Sequence, residues 1–426
     1  QIQNMTEYDR FYAAVYGNMG VMSMHKGTVG KLIISCAAVF AAGLLFGGCA
    51  DKNISDDEAV AANADITETV SETEATFTEP VPENSSVHVL AVGDNLVSAP
   101  IYEQAHRRAM GVGYDFGYEY ANTAKLVRSA DVAIINQETL ICNDEYEPSE
   151  YPYFNSPRDL GNYMQYMGFD IFTIANNHIL DKGEDGLLAC LDYWDSCPDA
   201  VVAGVYRNEA DKENIRTYTS NGVTFSILAY TESTNTLTLP ESSELIIGDA
   251  YDLDGIVSDI KKAKEKSDIC ILALHWGVEN SDEVSRTQRD VAQRFADAGA
   301  DIIIGNHPHV LRSVETIEGK DGNEMLCAYS LGNYVSSQER RQNLIGGILE
   351  FDVEKNGSEF SIDNITLTPT IQHYEKGGAK NRVYLYSQYS EELAEQHGIN
   401  EIAEFNMEYI DSIINKNIDE KYLKLN

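Results

Sequence analysis

Two of the nine histidines in this chain bracket a proline, in Gly305-Asn306-His307-Pro308-His309. Proline fixes its own φ and steers the preceding residue away from helix, so the two imidazoles are expected in an extended arrangement. Four other short runs carry groups of the same kind: Gly93-Asp94, Asn136-Gln137-Glu138, Ala175-Asn176-Asn177-His178 and His275-Trp276-Gly277. Imidazole, carboxylate and carboxamide form a mixed nitrogen and oxygen donor set, which suits one or two divalent ions such as Zn, Mn or Fe and argues against a thiolate site. Each run has a plainer explanation. Asp94 after Gly93 is a common turn or cap, Glu138 a solvated loop carboxylate, and Asn176 and Asn177 caps for a helix starting near Glu184. His275 beside Trp276 would pass for a core histidine. The plain explanations must all hold together to dismiss a site, and that is a heavier demand than any one of them.

The elements that must position these groups are legible around them. Val87–Val92 precedes Gly93-Asp94, and Asp131–Ile135 precedes Asn136-Gln137-Glu138. Phe169–Ile174, Asp268–Leu274 and Ala300–Ile304 run into the three histidine-bearing segments in the same way. Short β-branched runs alternating with helical patterns imply βα units and a layered α/β domain. In such sheets ligands gather beyond the carboxyl ends of the strands. Leu326–Tyr329 is a further expected strand; Asn333 after it either lines the site or is a turn residue following Gly332. Gly346–Thr370 alternates like antiparallel strands, and Glu391–Ile414 has helical spacing, as a packed or solvated appendage or a partner surface.

The net charge of -37 over 426 residues excludes nucleic acid as a partner. It would also repel a polyanionic substrate unless a bound cation inverts the local field. The seven cysteines show neither metal-site spacing nor a dense disulfide framework, although a Cys190–Cys197 bridge stays open; Cys270 and Cys327 sit in apolar runs as small core residues. A Gly-x-Ser-x-Gly elbow and a phosphate-binding P-loop are both absent from the sequence. Met24–Cys49 has the layout of a secretory signal, with His25, Lys26 and Lys31 ahead of an apolar stretch from Leu32 to Phe46. Its Leu-Phe-Gly-Gly-Cys ending resembles a bacterial lipoprotein box, which would make Cys49 the lipidated residue and the membrane a partner; the alternative is an uncleaved anchor. Residues 1–49 are therefore read as an upstream segment plus signal, and residues 50–86, acidic and poor in large apolar groups, as a disordered tether outside the cytoplasm.

Taken together, these motifs, with Asn177-His178-Ile179-Leu180-Asp181, His275-Trp276-Gly277-Val278-Glu279 and Tyr329-Ser330-Leu331-Gly332-Asn333-Tyr334, resemble the poly-γ-glutamate capsule-synthesis protein CapA family. That family resembles the calcineurin-like metallophosphoesterases in fold, which implies a β-sandwich flanked by helices over residues 87–374, followed by a C-terminal helical segment over 375–426. The resemblance implies metal ligands at Asp94, Glu138, Asn177, His275, His307 and His309. It implies a proton donor at His178, with Asp94 and Glu138 sharing in catalysis and Asn176, Trp276 and Asn333 lining the substrate. The phosphoesterase pattern usually has a histidine two residues after the first aspartate, where this chain has Leu96, and an aspartate where it has Glu138. Two activities are compatible with the resemblance: a metal-dependent hydrolase or transferase that activates water, and a non-catalytic subunit that binds capsule polymer within a polymer-synthase complex.

Overall fold

The computed structural model describes residues 84–142 and 144–425. The signal, Cys49 and almost all of the tether lie outside the described residues. Asn84–Ser86, expected in the tether, instead open strand β1 (Asn84–Asn95), where Ser86 pairs with Glu354. The antiparallel partner runs on to Asn356, and its ladder groups draw the first strand upstream.

Two sheets face each other. The first has the order β16 (Ala379–Leu385), β15 (Glu359–Glu375), β14 (Ile345–Asn356), β1, β2 (Val132–Gln137), β3 (Ile171–Thr173) and β4 (Val201–Ala203). A short strand, β13 (Asn333–Val335), also pairs in parallel with the end of β1. β1 to β4 are parallel; β14, β15 and β16 continue the sheet antiparallel. The second sheet has the order β11 (Val314–Glu318), β12 (Glu324–Ala328), β10 (Ile302–Asn306), β9 (Ile269–His275), β7 (Val223–Thr231) and β6 (Arg216–Ser220). β7, β9, β10 and β12 are parallel. A two-stranded ribbon, β5 (Val205–Tyr206) with β8 (Ile246–Ile247), completes the described strands.

Alternation along the strands explains the layers. In β9, Ile269, Ile271 and Ala273 point into the apolar layer between the sheets, where they meet Val87, Val89 and Ala91 of β1 and Val132 and Ile134 of β2. Cys270, Leu272 and Leu274 point the other way, onto Ile256 and Ile260 of helix Leu253–Lys266 and Phe295 of helix Arg286–Ala298. Cys270 and Cys327 are thus buried among apolar side chains, as expected. Cys190 and Cys197 are free and buried, which closes the question of a bridge between them.

The C-terminal segment is not helical from residue 375. It opens with β16, an edge strand of the first sheet, before helices Glu391–Gln396 and Met407–Asn417. Those helices bury Ala394, Ile410 and Ile414 against Ile345, Ile371 and Tyr374, so the segment is a packed part of the same unit. No helix among the described residues is long and apolar enough to cross a membrane.

Candidate metal centre

The parallel strands of both sheets end at one edge of the sandwich, and their last residues meet there. Register alone sets several neighbours: Asp94 lies opposite Asn136 and Asn333, and His275 opposite Asn306. Two glycines permit the approach. A Cβ on Gly93 would sit 1.9 Å from the Gly332 carbonyl oxygen, and one on Gly305 2.1 Å from that of Tyr329. With Gly93 in place, the Asp94 N–H donates to the Gly332 carbonyl at 2.9 Å.

Asp94 is wholly buried. Its Oδ1 accepts from Asn136 Nδ2 at 2.7 Å, and its Oδ2 lies 3.1 Å from His309 Nδ1 and accepts from the His307 N–H at 3.2 Å. His307 and His309 have φ of 93° and 59°, so the expected extended arrangement around Pro308 is not what forms. The chain bends through two left-handed residues, which brings the His309 imidazole and the His307 amide to Asp94 and the His307 imidazole to His275. His275 Nε2 lies 2.9 Å from Asn177 Oδ1 and 3.0 Å from His307 Nδ1, linking the two sheets.

Glu138 is the anomaly. Its side chain is 0% exposed, and neither carboxylate oxygen has a hydrogen-bond partner among the described residues. Oε1 lies 3.7 Å from His309 Nε2 and 3.8 Å from His275 Nε2, too far for a hydrogen bond. An isolated buried carboxylate is costly, and a cation among these atoms removes the cost. Ligating atoms of Asp94, Glu138 and His309 all lie within 4.8 Å of one another, so this triad is a candidate site for a divalent metal. The donor set fits such an ion.

The electrostatics agree. Burial pushes Glu138 far above the usual carboxylate range. Burial alone would lower His309, but Glu138 and the bonded Asp94 outweigh it and hold the imidazole up at about 9. The Glu138–His309 pair therefore keeps a proton at neutral pH that a cation would displace. Burial, reinforced by neighbouring imidazoles, drives His275 well down and His307 down to about 4, so both are neutral and ready to ligate.

His178 sits beside this centre without joining it. Its Nδ1 is 2.8 Å from Asp181 Oδ2, which also accepts from the Phe154 N–H at 2.7 Å, and the Phe154 ring meets the imidazole edge-on at 4.7 Å. Two expected lining residues do other work. Asn176 spends its side chain on backbone, donating to the Gln137 carbonyl at 3.0 Å and accepting from the His178 N–H at 3.0 Å. Trp276 faces away from the site, stacked on Tyr329 at 5.9 Å and donating Nε1–H to its carbonyl at 3.1 Å. Strand alternation places it with Cys270, Leu272 and Leu274, opposite His275. Asn333 stands behind the site: its Oδ1 is 3.0 Å from His309 Nδ1, while Nδ2 donates to Ser336, Gln338 and the Asn343 carbonyl. Leu96 is buried and offers no donor.

Other contributors had been passed over. Asp181 orients His178, and its spacing of three residues was the available signal. Asn136 bridges Asp94 and the His275 ring, at 3.4 Å from Nδ1. Arg312, fully buried, donates to the Val278 and Ser281 carbonyls and to Gln288, fixing the loop after β9. Only the folded chain brings Arg312 to that loop.

Comparison with known proteins identifies the family. Residues 88–338, more than half of the chain, match the family described as "Bacterial capsule synthesis protein PGA_cap". The "PGA biosynthesis protein CapA" of Bacillus subtilis (strain 168) is 32% identical over 194 residues, covering 45% of this chain and 49% of that protein. The chain thus spans about half the length of that relative. The "Capsule biosynthesis protein CapA" of Bacillus anthracis is 25% identical over 299 residues, covering 68% of this chain and 69% of that protein. Among solved structures, Haemophilus influenzae NAD nucleotidase aligns with a TM-score of 0.41 at 13% identity, over 78% of this chain and 60% of that one. The matched region contains Asp94, Glu138, Asn177, His178, His275, His307, His309 and Asn333, and the chain belongs to the bacterial capsule synthesis protein family.

Proposed function

We propose that this protein acts in making, exporting or anchoring a glutamate-polymer capsule, as a metal-dependent hydrolase or transferase working outside the cytoplasm. The observation that carries the reading is Glu138: a carboxylate with no hydrogen bond to either oxygen among the described residues, sealed beside Asp94 and His309. Asp94, Glu138 and His309 would hold a cation, and His275, His307 and Asn177 would supply further ligands. A divalent ion bound there supplies Lewis acidity and lowers the pKa of water. The side chains of the site supply the rest. His178 has its Nδ1 held by Asp181, which keeps a proton on that nitrogen and sets the ring plane. Nε2 makes no hydrogen bond among the described residues; with the ring as imidazolium it is the atom that gives a proton to a leaving group, which leaves a neutral ring protonated at Nδ1 beside Asp181. Burial of Asp94, Glu138 and His275 excludes bulk water from the reacting side. Relatives named for PGA and capsule biosynthesis point to a polymer of glutamate as the substrate class. A cation beneath such a polyanion offsets the acidity of the chain.

The test is rate against metal content. His178→Ala should keep its metal and fold while losing about 10²–10⁴-fold in rate on γ-glutamyl or phosphoester substrates, the usual size of general-acid catalysis. A second reading, a non-catalytic polymer-binding subunit of a membrane complex, is favoured by Leu96: the position where the phosphoesterase pattern has histidine is apolar and buried here. A metal-loaded wild type inert on both substrate classes, with a His178→Ala strain that still makes capsule, would establish that second reading. Anchoring is a separate claim: Cys49→Ala should release the protein from membranes, and continued membrane association would refute lipidation.

A further inference from the structure

Strand β7 also ends at the ligand-bearing edge, yet it carries no histidine. Its last residue, Thr231, lies opposite His275. The next residue grips that strand twice: the Glu232 N–H donates to the His275 carbonyl at 3.0 Å, and Glu232 Oε2 accepts from the Gly277 N–H at 2.7 Å. Three residues on, Asn235 Oδ1 accepts from Asn177 Nδ2 at 3.3 Å. One short loop therefore touches His275 of the second sheet and Asn177 of the first. The loop is tightly built. Thr231 Oγ1 donates to the Ser233 carbonyl at 2.8 Å, the Asn235 N–H to Ser233 Oγ at 3.0 Å, and Thr234 Oγ1 to the Leu237 carbonyl at 2.6 Å. Asn235 and Thr236 have φ of 50° and 65°. A left-handed conformation is disfavoured for L-residues and is rare for β-branched threonine. Strain of this kind persists where the surroundings impose it, and it gathers at ligand sites.

The contact has a chemical consequence. The carboxamide of Asn177 has two unlike ends. As placed, its oxygen faces His275 Nε2 at 2.9 Å and its nitrogen faces Asn235. Turned over, it would present N–H groups to the position a cation needs and would put its oxygen against that of Asn235. We propose that Asn235 is a positioning residue of the cation site, selecting the orientation of Asn177 that offers oxygen as a ligand, with Glu232 anchoring the same loop to the His275 strand. The proposal rests on the metal-site reading above and extends it to a loop outside that ligand set.

The left-handed backbone decides the variants. Asn235→Gly keeps that conformation at no cost and removes the acceptor; Asn235→Asp tolerates it and keeps an acceptor. Mn²⁺ and Zn²⁺ would be titrated calorimetrically into the full chain after chelator treatment, with melting of each metal-free protein followed alongside. Asn235→Gly should weaken binding about 10–100-fold, the usual loss when a ligand's supporting partner is removed. Its metal-free melting temperature should match wild type, and Asn235→Asp should bind within a few-fold of wild type. Wild-type affinity in Asn235→Gly, or loss that merely follows a lower melting temperature, overturns the positioning role and leaves the metal site standing. A wild type that takes up neither ion overturns both.

Discussion

Histidines cluster in two buried places in this molecule, and the clusters differ in what surrounds their nitrogens. Beneath the C-terminal helices, His373 and His397 pack edge-to-face at 5.0 Å among Tyr374, Tyr384, Tyr389 and Phe405. His373 Nδ1 is bonded to the Tyr389 hydroxyl at 2.9 Å. His397 Nε2 meets the Gln372 carbonyl at 3.0 Å, and its Nδ1 accepts from the Ile399 N–H at 3.0 Å. Glu375, the carboxylate that acts on His373, is paired with Lys380. At the strand ends, His275, His307 and His309 crowd two buried carboxylates, one of them with no hydrogen bond among the described residues. Burial of imidazole is common to both, so burial is not the mark of a site. The mark is an ionisable group left without a hydrogen bond: the C-terminal cluster leaves neutral atoms such as the Tyr374 hydroxyl unspent, whereas Glu138 lies beside Asp94 and His309, where one cation would engage all three.

The largest expected effect follows from the unspent carboxylate. Glu138→Gln should weaken divalent-cation binding by at least about 100-fold, near 2.7 kcal/mol. The same change should leave the metal-free protein as stable as wild type or more so, because Gln keeps the shape of a buried carboxyl that makes no hydrogen bond among the described residues, and His309 keeps Asp94. Calorimetric titration and chemical denaturation read the two quantities separately. A Glu138→Gln protein that unfolds readily without metal would show the carboxylate to be structural, and the contrast between the clusters would fail.

Next in size is the opposite experiment. Phe405 packs against His397 in the C-terminal cluster, its ring tilted by 59° at 4.9 Å, and is buried to 1% exposure. Phe405→Ala should cost about 3–5 kcal/mol of stability. Its metal content, measured by elemental analysis at a temperature where it remains folded, should equal wild type. Metal lost along with that stability would mean the two regions are one cooperative centre.

How much of this contrast was visible beforehand depends on the distance over which each feature is encoded. The ligand set follows β-branched runs directly, so local sequence carries both the strand and its terminal donor: Asp94 after Val87–Val92, His275 after Ile269–Leu274. The two faces of β9 were equally local. Period-two alternation separates His275 from Trp276, and adjacency in sequence concealed that they point to opposite layers. Pro308 misled in another way, since its steric preference is for extended backbone and the fold overrides it with φ of 93° at His307. The supports were not legible. Arg312 reaches the loop after β9, Glu232 reaches Gly277, and Asn235 reaches Asn177, each across a long stretch of chain. Arginine, glutamate and asparagine in loops are ordinary surface residues until tertiary contacts give them partners. The C-terminal segment was misjudged at its start because β16 is a short edge strand of mixed polarity, Ala-Lys-Asn-Arg-Val-Tyr-Leu, with weak alternation.

A smaller effect, a loss of stability in acid, is common to both clusters and is apportioned between them by mutation. Burial lowers His373 and His397 to about 4 from the ordinary 6.5. Between those values the unfolded chain binds protons that the folded chain refuses, so stability present at neutral pH is lost as the pH falls through this window. The melting temperature of the metal-free protein should drop between pH 6.5 and 4, and His373→Gln should flatten part of the drop. An unchanged acid profile in that variant would assign the titration elsewhere.

The smallest expected effect concerns Trp276, the neighbour of a ligand that turns its back on the site. Its indole lies flat on Tyr329 at 10° between planes, and its N–H donates to the Tyr329 carbonyl within the layer covered by the two helices. Phenylalanine keeps an aromatic face for Tyr329 and gives up the hydrogen bond, which is worth about 1 kcal/mol, with a further small loss for the volume removed. Trp276→Phe should therefore lower stability by about 1–3 kcal/mol and leave cation affinity unchanged. It should also leave KM unchanged for any substrate found, since the ring does not face the cleft. A Trp276→Phe protein of near wild-type stability but several-fold higher KM would put the indole back against the substrate. It would also mean that β9 ends in a twist that breaks the alternation separating Trp276 from His275.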